Sequence, residues 1–374
     1  MKILLAGGGT GGHINPAISI ANEIKLHHPD TEFLFAATPH GMENTLVPKA
    51  GYNVAHIKVA GFKRTFAPSD IIHNFKALGY LMTASSRARK IIEDFKPDAV
   101  IGTGGYLSGP VLLAAQKKKI PTFIHEANAF PGVTTKALAK NAEVIMLAFP
   151  EAKKHLPEGK EYEIVGIPVR QEFITTSKSE ARKALGLDDN FTILSFGGSQ
   201  GALKINEIAA DIMQWHTKKG DINHIHGYGK HGKDSFPKLL KEKNIDVEKN
   251  PRIEIKEYID NMHLYVAAAD IVISRAGAST IMELEVAGKA SVLVPYPFAT
   301  ENHQYHNAKA LADVNASILI EEKNYDSKKL IEKLEKLYEN PESLKELSKN
   351  ASSLAVVDTN ERIYNIIMSK LNKN

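Results

Sequence analysis

Residues 1–13 read MKILLAGGGTGGH, and the fold class follows from the change in this stretch from apolar to glycine-rich. The run from Ile3 to Ala6 is typical of a buried strand, and five glycines and one threonine follow it before His13. Pro16 and the apolar positions after it predict that a helix starts there. Glycines let a ligand approach the N–H groups of such a turn, and the helix N-terminus behind it favours an anion.

Short apolar runs and helical patterns alternate along the rest of the chain. In the first half, strands are predicted at Ile3–Ala6, Phe33–Ala37, Val54–Val59, Ala99–Gly102, Thr122–His125, Val144–Leu147 and Ile164–Gly166. In the second half, they are predicted at Thr192–Phe196, His224–His226, Ile253–Ile255, Ile271–Ser274, Ser291–Val294 and Ser317–Ile320. Strands that alternate with helices form right-handed βαβ units with buried parallel sheets. We therefore predict an α/β protein of two doubly wound, Rossmann-like domains that face a cleft.

The domain boundaries are predicted from these two series of strands. The first domain covers residues 1–165 and the second covers residues 166–354. A C-terminal helix near residues 355–374 is expected to pack back on the first domain. Residues 1–162 carry more Lys and Arg than Asp and Glu, so an anionic partner is expected at the first domain.

Composition excludes several classes of protein. The 374-residue chain contains no cysteine, which rules out disulfides, thiolate zinc sites and a thiol nucleophile. The first apolar run is too short for a signal peptide, and no run approaches the ~18 apolar residues of a membrane span. We therefore expect neither export nor a membrane span, and we expect no nucleic-acid partner.

The first glycine turn matches a dinucleotide fingerprint only in part. Gly7, Gly9 and Gly12 have the required spacing, but the second strand ends Phe35-Ala36-Ala37-Thr38, with no acid to hold a ribose hydroxyl. A hydride-transfer enzyme is therefore disfavoured. His13 is predicted on the loop at the carboxyl edge of the sheet, where α/β proteins bind ligands, so a functional role is favoured over a structural one.

Five further motifs follow predicted strands: GTGGYLSGP at 102–110, HEANAFPG at 125–132, GGSQGA at 197–202, SRAGASTIME at 274–283 and PYPFATENHQYHN at 295–307. The loop at 197–202 lacks the lysine of a P-loop, so NTP hydrolysis is not expected. Glu283 is expected in a first helical turn, where its carboxylate either caps the helix or binds ribose hydroxyls. No Asp-x-Asp triplet occurs, so loop N–H groups and helix N-termini, not a bound metal, would stabilise a leaving diphosphate.

Taken in order, these motifs resemble the MurG family, the bacterial N-acetylglucosaminyltransferases of peptidoglycan synthesis, which have the two-domain GT-B fold. The resemblance covers nearly the whole chain and includes GIPVR at 166–170. One glycine loop is a common motif, but the ordered set is specific. Ala127 and Ile167 depart from the pattern, because the family more often has glutamine and asparagine there.

The resemblance implies inverting transfer of N-acetylglucosamine from UDP-GlcNAc to the 4-hydroxyl of the muramoyl sugar of lipid I, which forms lipid II. It implies no cofactor and no metal, with His13 as the general base. The implied donor-binding residues are Thr10, Gly11, Gly12, Asn128, Arg170, Ser199, Ile259, Ala278, Ser279, Thr280, Ile281, Met282, Glu283 and Gln304. The loops at 7–13 and 102–110 are expected to face the acceptor, with Gly104, Gly105 and Tyr106 at its diphosphate.

Residues 61–96 suit an acceptor that carries a lipid. Lys63, Arg64, Lys76 and other cations outnumber the acids there and alternate with apolar residues such as Phe62 and Leu81. Such a segment favours an anionic membrane surface by roughly 1 kcal/mol per cation, although most of its apolar residues are expected to pack in the core. We therefore expect peripheral attachment to the cytoplasmic face of the membrane, where other cell-wall or division proteins are further candidate partners.

Three alternatives remain open from the residues alone. Another GT-B transferase that acts on a diacylglycerol or an antibiotic would have a similar donor half. A UDP-GlcNAc 2-epimerase would need carboxylates near the sugar ring, and the loop tips supply few. A non-catalytic module that binds a nucleotide sugar or a lipid diphosphate would not need His13 at a glycine loop.

Overall fold

The chain folds into two compact units in a computed structural model that describes residues 1–59, 83–198 and 200–372. Unit 1 contains Met1–Pro168 and Asp358–Asn374, and unit 2 contains Val169–Val357. The chain therefore leaves unit 1 shortly after residue 165 and returns to it for its last helix. Both units are α/β, which confirms the predicted fold class.

Unit 1 is built on a parallel sheet of seven strands in the order β3-β2-β1-β4-β5-β6-β7. The strands are β1 (Lys2–Gly7), β2 (Glu32–Ala37), β3 (Asn53–His56), β4 (Ala99–Gly104), β5 (Thr122–Glu126), β6 (Val144–Leu147) and β7 (Tyr162–Ile164). The central strands are buried on both faces, since β1 and β4 consist almost entirely of residues without solvent contact. This explains why they read as continuous apolar runs rather than as alternating patterns.

Helices cover both faces of this sheet. They are α1 (Gly11–His27), α2 (Glu43–Lys49), α3 (the described residues 83–95), α4 (Ser108–Lys117), α5 (Val133–Leu138) and the C-terminal α16 (Thr359–Leu371). Short 3-10 turns occur at Ala139–Asn141 and Pro150–His155. Ile363 and Ile367 of α16 are fully buried in the same core as Ile20 and Ile24 of α1, so the last helix completes one face of unit 1.

Unit 2 repeats the plan with a six-stranded parallel sheet in the order β10-β9-β8-β11-β12-β13. The strands are β8 (Phe191–Phe196), β9 (Ile222–Gly227), β10 (Ile253–Lys256), β11 (Ile271–Ser274), β12 (Ala290–Leu293) and β13 (Ile318–Leu319). The helices are α6 (Gln171–Thr175), α7 (Lys178–Leu185), α8 (Leu203–His216), α9 (Gly229–Gly232), α10 (Phe236–Glu242), α11 (Met262–Ala268), α12 (Ala278–Val286), α13 (His303–Ala312), α14 (Ser327–Glu339) and α15 (Pro341–Leu354). Further 3-10 turns occur at Thr300–Asn302 and Glu322–Asn324.

Each sheet reverses its strand order at one point, between β1 and β4 in unit 1 and between β8 and β11 in unit 2. The connections that follow two such strands leave the sheet in opposite directions, which opens a crevice beyond their carboxyl ends. The glycine-rich motifs at 7–13 and 102–110 follow β1 and β4. Those at 197–202 and 274–283 follow β8 and β11. These four glycine-rich motifs therefore lie at the reversal points, which is where doubly wound proteins bind ligands.

All thirteen predicted strands are present, but three predicted boundaries were wrong. Strand β3 ends at His56 and not at Val59. Strand β7 ends at Ile164, where the predicted strand began. Helix α1 begins at Gly11 and not at Pro16, which lies inside it. The carbonyl of Thr10 accepts the N–H groups of His13 (3.1 Å) and Ile14 (3.2 Å), so the helix is already established before the proline. Pro16 is the sixth helical residue, so it lies beyond the first turn and removes the hydrogen bond that an N–H there would donate to the Gly12 carbonyl.

The predicted membrane-facing segment lies partly outside the described residues. Residues 60–82 are not among the described residues. They include every apolar residue of the segment that was predicted to contact the membrane or the core, so those predictions stay untested. In α3, Ala84, Ala88 and Ile92 are buried in the core of unit 1. Arg87 and Arg89 are exposed. None of the helices in the described ranges is both long and apolar enough to cross a membrane.

Candidate functional site

In unit 1, the two glycine turns at the reversal point interlock. The N–H of Gly8 donates to the carbonyl of Gly104 at 3.4 Å. A Cβ atom on Gly105 would lie 2.3 Å from the carbonyl oxygen of Gly8, and one on Gly7 would lie 1.9 Å from Oγ1 of Thr103. Gly105 also has a φ of 77°, in the left-handed region. Only glycine permits this approach, so each turn fixes the shape of the other.

His13 lies between these turns, in the first turn of α1 and not on the preceding loop as predicted. Its Nδ1 is 3.1 Å from the carbonyl oxygen of Gly8. A carbonyl can only accept, so in the neutral ring the proton is on Nδ1 and the lone pair is on Nε2. The ring lies against Gly104, where a Cβ would be 2.7 Å from Cδ2 of His13. The structure thus places an imidazole with a basic Nε2 beside both glycine turns.

The residues next to His13 form the N-terminus of α1. Thr10 is the extended N-cap residue, and its hydroxyl lies 3.4 Å from Nδ1 of His13. Gly11 and Gly12 are the first two helical residues. Thr103 donates its hydroxyl to the carbonyl of His13 at 2.7 Å, which ties the end of β4 to the start of this helix. The helix therefore presents unpaired N–H groups at a position fixed by a neighbouring strand.

Glu43 is a site residue that the sequence reasoning missed. It begins α2 and is fully buried, and its Oε1 accepts the N–H (2.8 Å) and the hydroxyl (2.6 Å) of Thr38. Burial alone would raise the pKa of this carboxyl, but hydrogen bonds from Thr38 and from the Gly9 N–H lower it below its usual value. Oε1 also lies 3.3 Å from the position of a Cβ on Gly8. An acid thus follows β2 after all, at the start of α2, but it is buried and faces the glycine turn from within the protein.

Tyr106 covers the outer side of the same turn. Its ring lies 3.4 Å from the position that a Cβ on Gly9 would occupy, and the side chain is 44% exposed. Burial raises the pKa of its hydroxyl, and the nearby charge of Glu43 raises it further. Gly104, with a φ of 109°, and Gly105 precede it. The three predicted acceptor residues therefore form one surface beside His13.

The motif after β5 is organised by Glu126. Its carboxylate accepts the N–H (3.1 Å) and the side-chain amide (3.3 Å) of Asn128, together with the Gly132 N–H (3.1 Å) and the Thr135 hydroxyl (2.6 Å). This orients Asn128 and caps α5. Burial lowers the pKa of the adjacent His125, although its Nε2 binds the carbonyl of Gly166 at 2.8 Å, and the nearby His13 lowers it further. The tips of β1, β4 and β5 thus meet, as the parallel sheet predicted.

In unit 2, the turn after β8 is equally compact. A Cβ on Gly197 would lie 2.4 Å from the N atom of Ala202, and Gly201 donates its N–H to the carbonyl of Gly198 at 2.9 Å. Ala202 is the N-cap residue of the 14-residue α8. Ser199 lies outside the described residues, so its predicted role remains a prediction.

The predicted donor segment Ala278–Glu283 forms the first six residues of α12, directly after β11. Glu283 was expected in the first turn, which was wrong, because it is the sixth helical residue. It therefore does not cap the helix, and the capping interpretation falls. Burial raises the pKa of Glu283 to about 7, although the positive charge of Arg170 lowers it. A half-buried carboxyl of this kind points to a functional group.

Two further side chains hold the loop that follows β12. Gln304, near the start of α13, accepts the Tyr296 N–H at 2.9 Å. Arg275 donates to the carbonyls of Val294 and Pro295, both at 3.1 Å, and its guanidinium lies 5.4 Å from the ring of Tyr296. The turns after β11 and β12 therefore form one surface.

Two other predicted residues also lie in unit 2, and Arg170 is near enough to Glu283 for its charge to act on that carboxyl. Arg170 is exposed just before α6, with its guanidinium 5.1 Å from the Phe173 ring. Ile259 is buried, and its Cδ1 is 3.1 Å from the position of a Cβ on Gly227 at the end of β9. Within the parts of the chain that the structure describes, no cluster of three or more His, Asp or Glu residues could hold a metal ion.

Comparison with known proteins follows the same division of the chain. The glycosyltransferase family 28 N-terminal domain matches residues 3–147, and the family 28 C-terminal domain matches residues 192–363. The two doubly wound units and these matches define the class of the protein, an α/β glycosyltransferase of the GT-B fold.

Relatives and solved structures narrow this class. The UDP-N-acetylglucosamine--N-acetylmuramyl-(pentapeptide) pyrophosphoryl-undecaprenol N-acetylglucosamine transferase of Acetivibrio thermocellus is 42% identical over 98% of this chain and 97% of its own length. The enzyme of the same name from Bacillus licheniformis is 38% identical over 98% of both chains. A crystal structure of Acinetobacter baumannii MurG has a TM-score of 0.79 at 29% identity, with 98% of this chain and 99% of that chain covered. The chain belongs to this transferase family, the MurG family.

Other solved structures share the fold alone. A UDP-GlcNAc 2-epimerase from Neisseria meningitidis has a TM-score of 0.67 at 16% identity, with 100% of both chains covered. The architecture therefore does not by itself separate a transferase from an epimerase, whereas the full-length sequence relationship does.

Proposed function

We propose that this protein transfers N-acetylglucosamine from UDP-GlcNAc to the 4-hydroxyl of the muramoyl sugar of lipid I, which forms lipid II. One observation carries the proposal: 42% identity over 98% of the chain to a transferase named for this reaction. The paired glycine turns and the tautomer of His13 agree with it, because they supply anion-binding N–H groups and a base.

We assign the role of general base to His13. Its Nδ1 proton is held by the Gly8 carbonyl, so Nε2 can accept the proton of the acceptor hydroxyl. The acceptor oxygen then attacks the anomeric carbon from the face opposite the diphosphate. The bond from that carbon to the diphosphate oxygen breaks, UDP departs with the electron pair, and the configuration inverts.

We assign UDP to unit 2. The N–H groups at the start of α12, from Ala278 onward, and those of the turn at 197–202 with Ser199 would stabilise the leaving diphosphate. Glu283 would accept hydrogen bonds from the ribose hydroxyls, with Arg170 as its counter-charge. The other donor residues in this unit would be Ile259, Ser279, Thr280, Ile281, Met282 and Gln304.

We assign the acceptor and the transferred sugar to unit 1. The acceptor diphosphate would bind at Gly104, Gly105 and Tyr106, which form one surface beside His13. The Thr10–Gly12 N-terminus of α1 and the side chain of Asn128 would contact the donor sugar.

We also propose that unit 1 attaches peripherally to the cytoplasmic face of an anionic membrane. A surface cavity of about 290 Å³ lies between α3 and α4 and is lined by Ser85, Arg89, Glu93, Leu113, Lys117 and Lys118. Its three cations outnumber its single acid, which favours anionic headgroups. Co-sedimentation with phosphatidylglycerol vesicles should exceed that with phosphatidylcholine vesicles, and Arg89→Gln with Lys117→Gln should reduce the difference. Equal sedimentation of native protein and variant would contradict this attachment.

One assay tests the reaction. Radiolabelled UDP-GlcNAc is supplied with a lipid I analogue, and the products are separated. The expected product is a labelled disaccharide on the acceptor. Label that moves to UDP-ManNAc would identify an epimerase, and label that stays on UDP-GlcNAc would reject the transferase.

A further inference from the structure

Unit 2 contains a row of buried polar side chains that the proposed reaction does not use. We call it the histidine network: His216, His224, Ser195, His226 and Asn206. Its successive contacts are His216 Nε2 to His224 Nδ1 (3.1 Å), His224 Nε2 to Ser195 Oγ (2.8 Å), Ser195 Oγ to His226 Nδ1 (2.8 Å) and His226 Nε2 to Asn206 Oδ1 (3.2 Å). The side-chain amide of Asn206 then donates to the carbonyl of Tyr228 at 3.1 Å. All five members are at most 2% exposed.

The last contact sets the direction of every hydrogen bond before it. The Tyr228 carbonyl can only accept, so Asn206 donates its NH₂ there and presents its Oδ1 to His226. Nε2 of His226 must then carry the proton, and Nδ1 must accept from the Ser195 hydroxyl. The alternative contact of Nδ1 with the Ser195 carbonyl, at 3.1 Å, would leave two acceptors facing each other at Asn206.

The same rule continues to the far end of the network. Since the Ser195 hydroxyl donates to His226, its oxygen accepts from Nε2 of His224. Nδ1 of His224 then accepts from Nε2 of His216. One arrangement therefore satisfies the five successive contacts of the network, with the three histidines neutral and protonated on Nε2, and in it the contact between His226 Nδ1 and the Ser195 carbonyl is not a hydrogen bond. Burial lowers the pKa of His216 to about 4 and that of His226 to about 3, which agrees with the neutral state.

The network ends at the turn that supports the proposed diphosphate loop. A Cβ on Gly201 would lie 2.3 Å from the carbonyl oxygen of Tyr228. A Cβ on Gly229 would lie 2.2 Å from the Gly201 N atom, so the two turns are in backbone contact. The N–H of His231 also donates to the carbonyl of Gln200 at 2.9 Å. The carbonyl that anchors the network thus packs directly against the loop at 197–202.

We propose that the histidine network is a positioning device that holds the described residues of this loop, 197–198 and 200–202, in the geometry that binds the donor diphosphate. This inference rests on the proposed function, because it requires that the loop contact the diphosphate of UDP-GlcNAc. A directed row of hydrogen bonds permits one orientation of Asn206 and hence one position of the Tyr228 carbonyl. The loop is therefore held before the donor arrives, as preorganised electrostatic stabilisation requires.

The test compares two serine-to-alanine variants in the same sheet. Ser195→Ala interrupts the network, whereas Ser291→Ala in β12 removes an equally buried hydroxyl that has no hydrogen-bond partner among the described residues. The dissociation constants of UDP and UMP are measured for each full-length variant. UMP lacks the second phosphate, so the ratio of its dissociation constant to that of UDP reports the diphosphate contact and not general stability.

Ser195→Ala should reduce this ratio by about 10-fold, as expected when a buried hydrogen-bond link is lost, and Ser291→Ala should leave it unchanged. An equal ratio in native protein and Ser195→Ala would overturn the positioning role. A native protein with no preference for UDP over UMP would overturn the assignment of the loop and the inference with it.

A second pair of variants covers the case in which Ser195→Ala does not fold. Asn206→Ala removes the last link, next to the Tyr228 carbonyl, and His216→Phe removes the first link, farthest from the loop. The UMP-to-UDP ratio should fall in both variants and fall more in Asn206→Ala. A native ratio in either variant, or a larger fall in His216→Phe, would overturn the inference.

Discussion

At the level of single residues, the proposed chemistry depends on the proton states of two side chains. His13 is held as the Nδ1-protonated tautomer by the Gly8 carbonyl. Glu283 is half-buried near one cation, and burial raises its pKa to about 7. The contact that sets the His13 tautomer lies within the motif at 7–13, whereas Arg170, the cation near Glu283, is distant from it in sequence. Each therefore makes a prediction that a single substitution can check.

His13→Ala should lower kcat by about 10²- to 10⁴-fold, the usual contribution of a general base, and leave the dissociation constant of UDP unchanged. UDP is assigned to unit 2, so removing a base in unit 1 should not weaken its binding. His27→Ala is the matched control, since His27 ends the same helix and is exposed. Steady-state kinetics and calorimetry give the two quantities. A His13→Ala variant that retains most of its kcat would remove His13 from the mechanism.

Glu283 predicts a pH dependence of donor binding. Its side chain accepts hydrogen bonds from ribose hydroxyls through both oxygens, and more strongly, when it is deprotonated, and with a pKa of about 7 it becomes protonated as the pH falls from 8 to 6. The dissociation constant of UDP-GlcNAc should therefore rise over this interval. In Glu283→Gln the dependence should disappear, because no group titrates there. UDP-GlcNAc is the ligand to use, because its diphosphate does not titrate in this range. An identical pH profile in native protein and variant would reject the role of Glu283.

At the level of elements, the turns after two neighbouring strands are in direct backbone contact in each unit. In unit 1 the turns after β1 and β4 interlock through backbone atoms, and Glu43 and Tyr106 cover them from opposite sides. In unit 2 the turns after β8 and β9 are in similar contact through Gly201 and Gly229. In both cases a glycine is needed because another backbone occupies the place of its side chain.

Gly105→Ala tests the interlocked turns. The new Cβ would lie 2.3 Å from the Gly8 carbonyl at a φ of 77°, so the free energy of unfolding should fall by about 2–4 kcal/mol. The turnover number should also fall, because His13 contacts the same turn. Gly109→Ala is the control: that glycine lies in α4, where the nearest atom to a Cβ is an ordinary 3.6 Å away. It should be neutral or slightly stabilising. Equal urea denaturation curves for the two variants would contradict the interlock.

At the level of the whole molecule, the chain carries the same doubly wound plan twice, and each unit has its glycine turns at the reversal of strand order. Unit 1 contains the proposed base His13 and the basic cavity between α3 and α4. Unit 2 contains Glu283, whose pKa is raised, and the histidine network. We propose that this division separates acceptor from donor.

The histidine network also predicts how stability depends on pH. Burial lowers the pKa of His216 from 6.5 to about 4, so below pH 6.5 the unfolded chain binds a proton that the folded chain does not. The free energy of unfolding should therefore be constant above pH 6.5 and fall towards pH 4, by up to about 3 kcal/mol for this group. Trp215, the single tryptophan, lies in the same helix and reports urea unfolding by fluorescence. His216→Gln should show a shallower pH dependence, and an unchanged slope would contradict the assignment.

Much of this architecture could be predicted from local patterns. Thirteen apolar runs predicted the strands, and the glycine-rich turns after β1, β4, β8 and β11 lie where both sheets reverse their strand order. Both features could be predicted because burial and turn geometry depend on neighbours in sequence. The start of α1 and the place of Glu283 were predicted wrongly by a few residues. Helix boundaries depend on which carbonyl first accepts a bond, and Thr10 did so before the proline signal.

Amino-acid order was thus sufficient for two α/β units, their strands and the family to which the chain belongs. The tertiary structure decided which partners the polar side chains of those units contact. It turned Glu43 inward to the glycine turn, set the tautomer of His13, and joined His216, Ser195 and Asn206 into one directed network. Several of these contacts join different strands and helices, such as Ser195 with His226, 31 residues apart, and Thr103 with His13, 90 residues apart. No periodicity or local motif encodes such pairs, because they arise only when the sheet brings distant strand ends together.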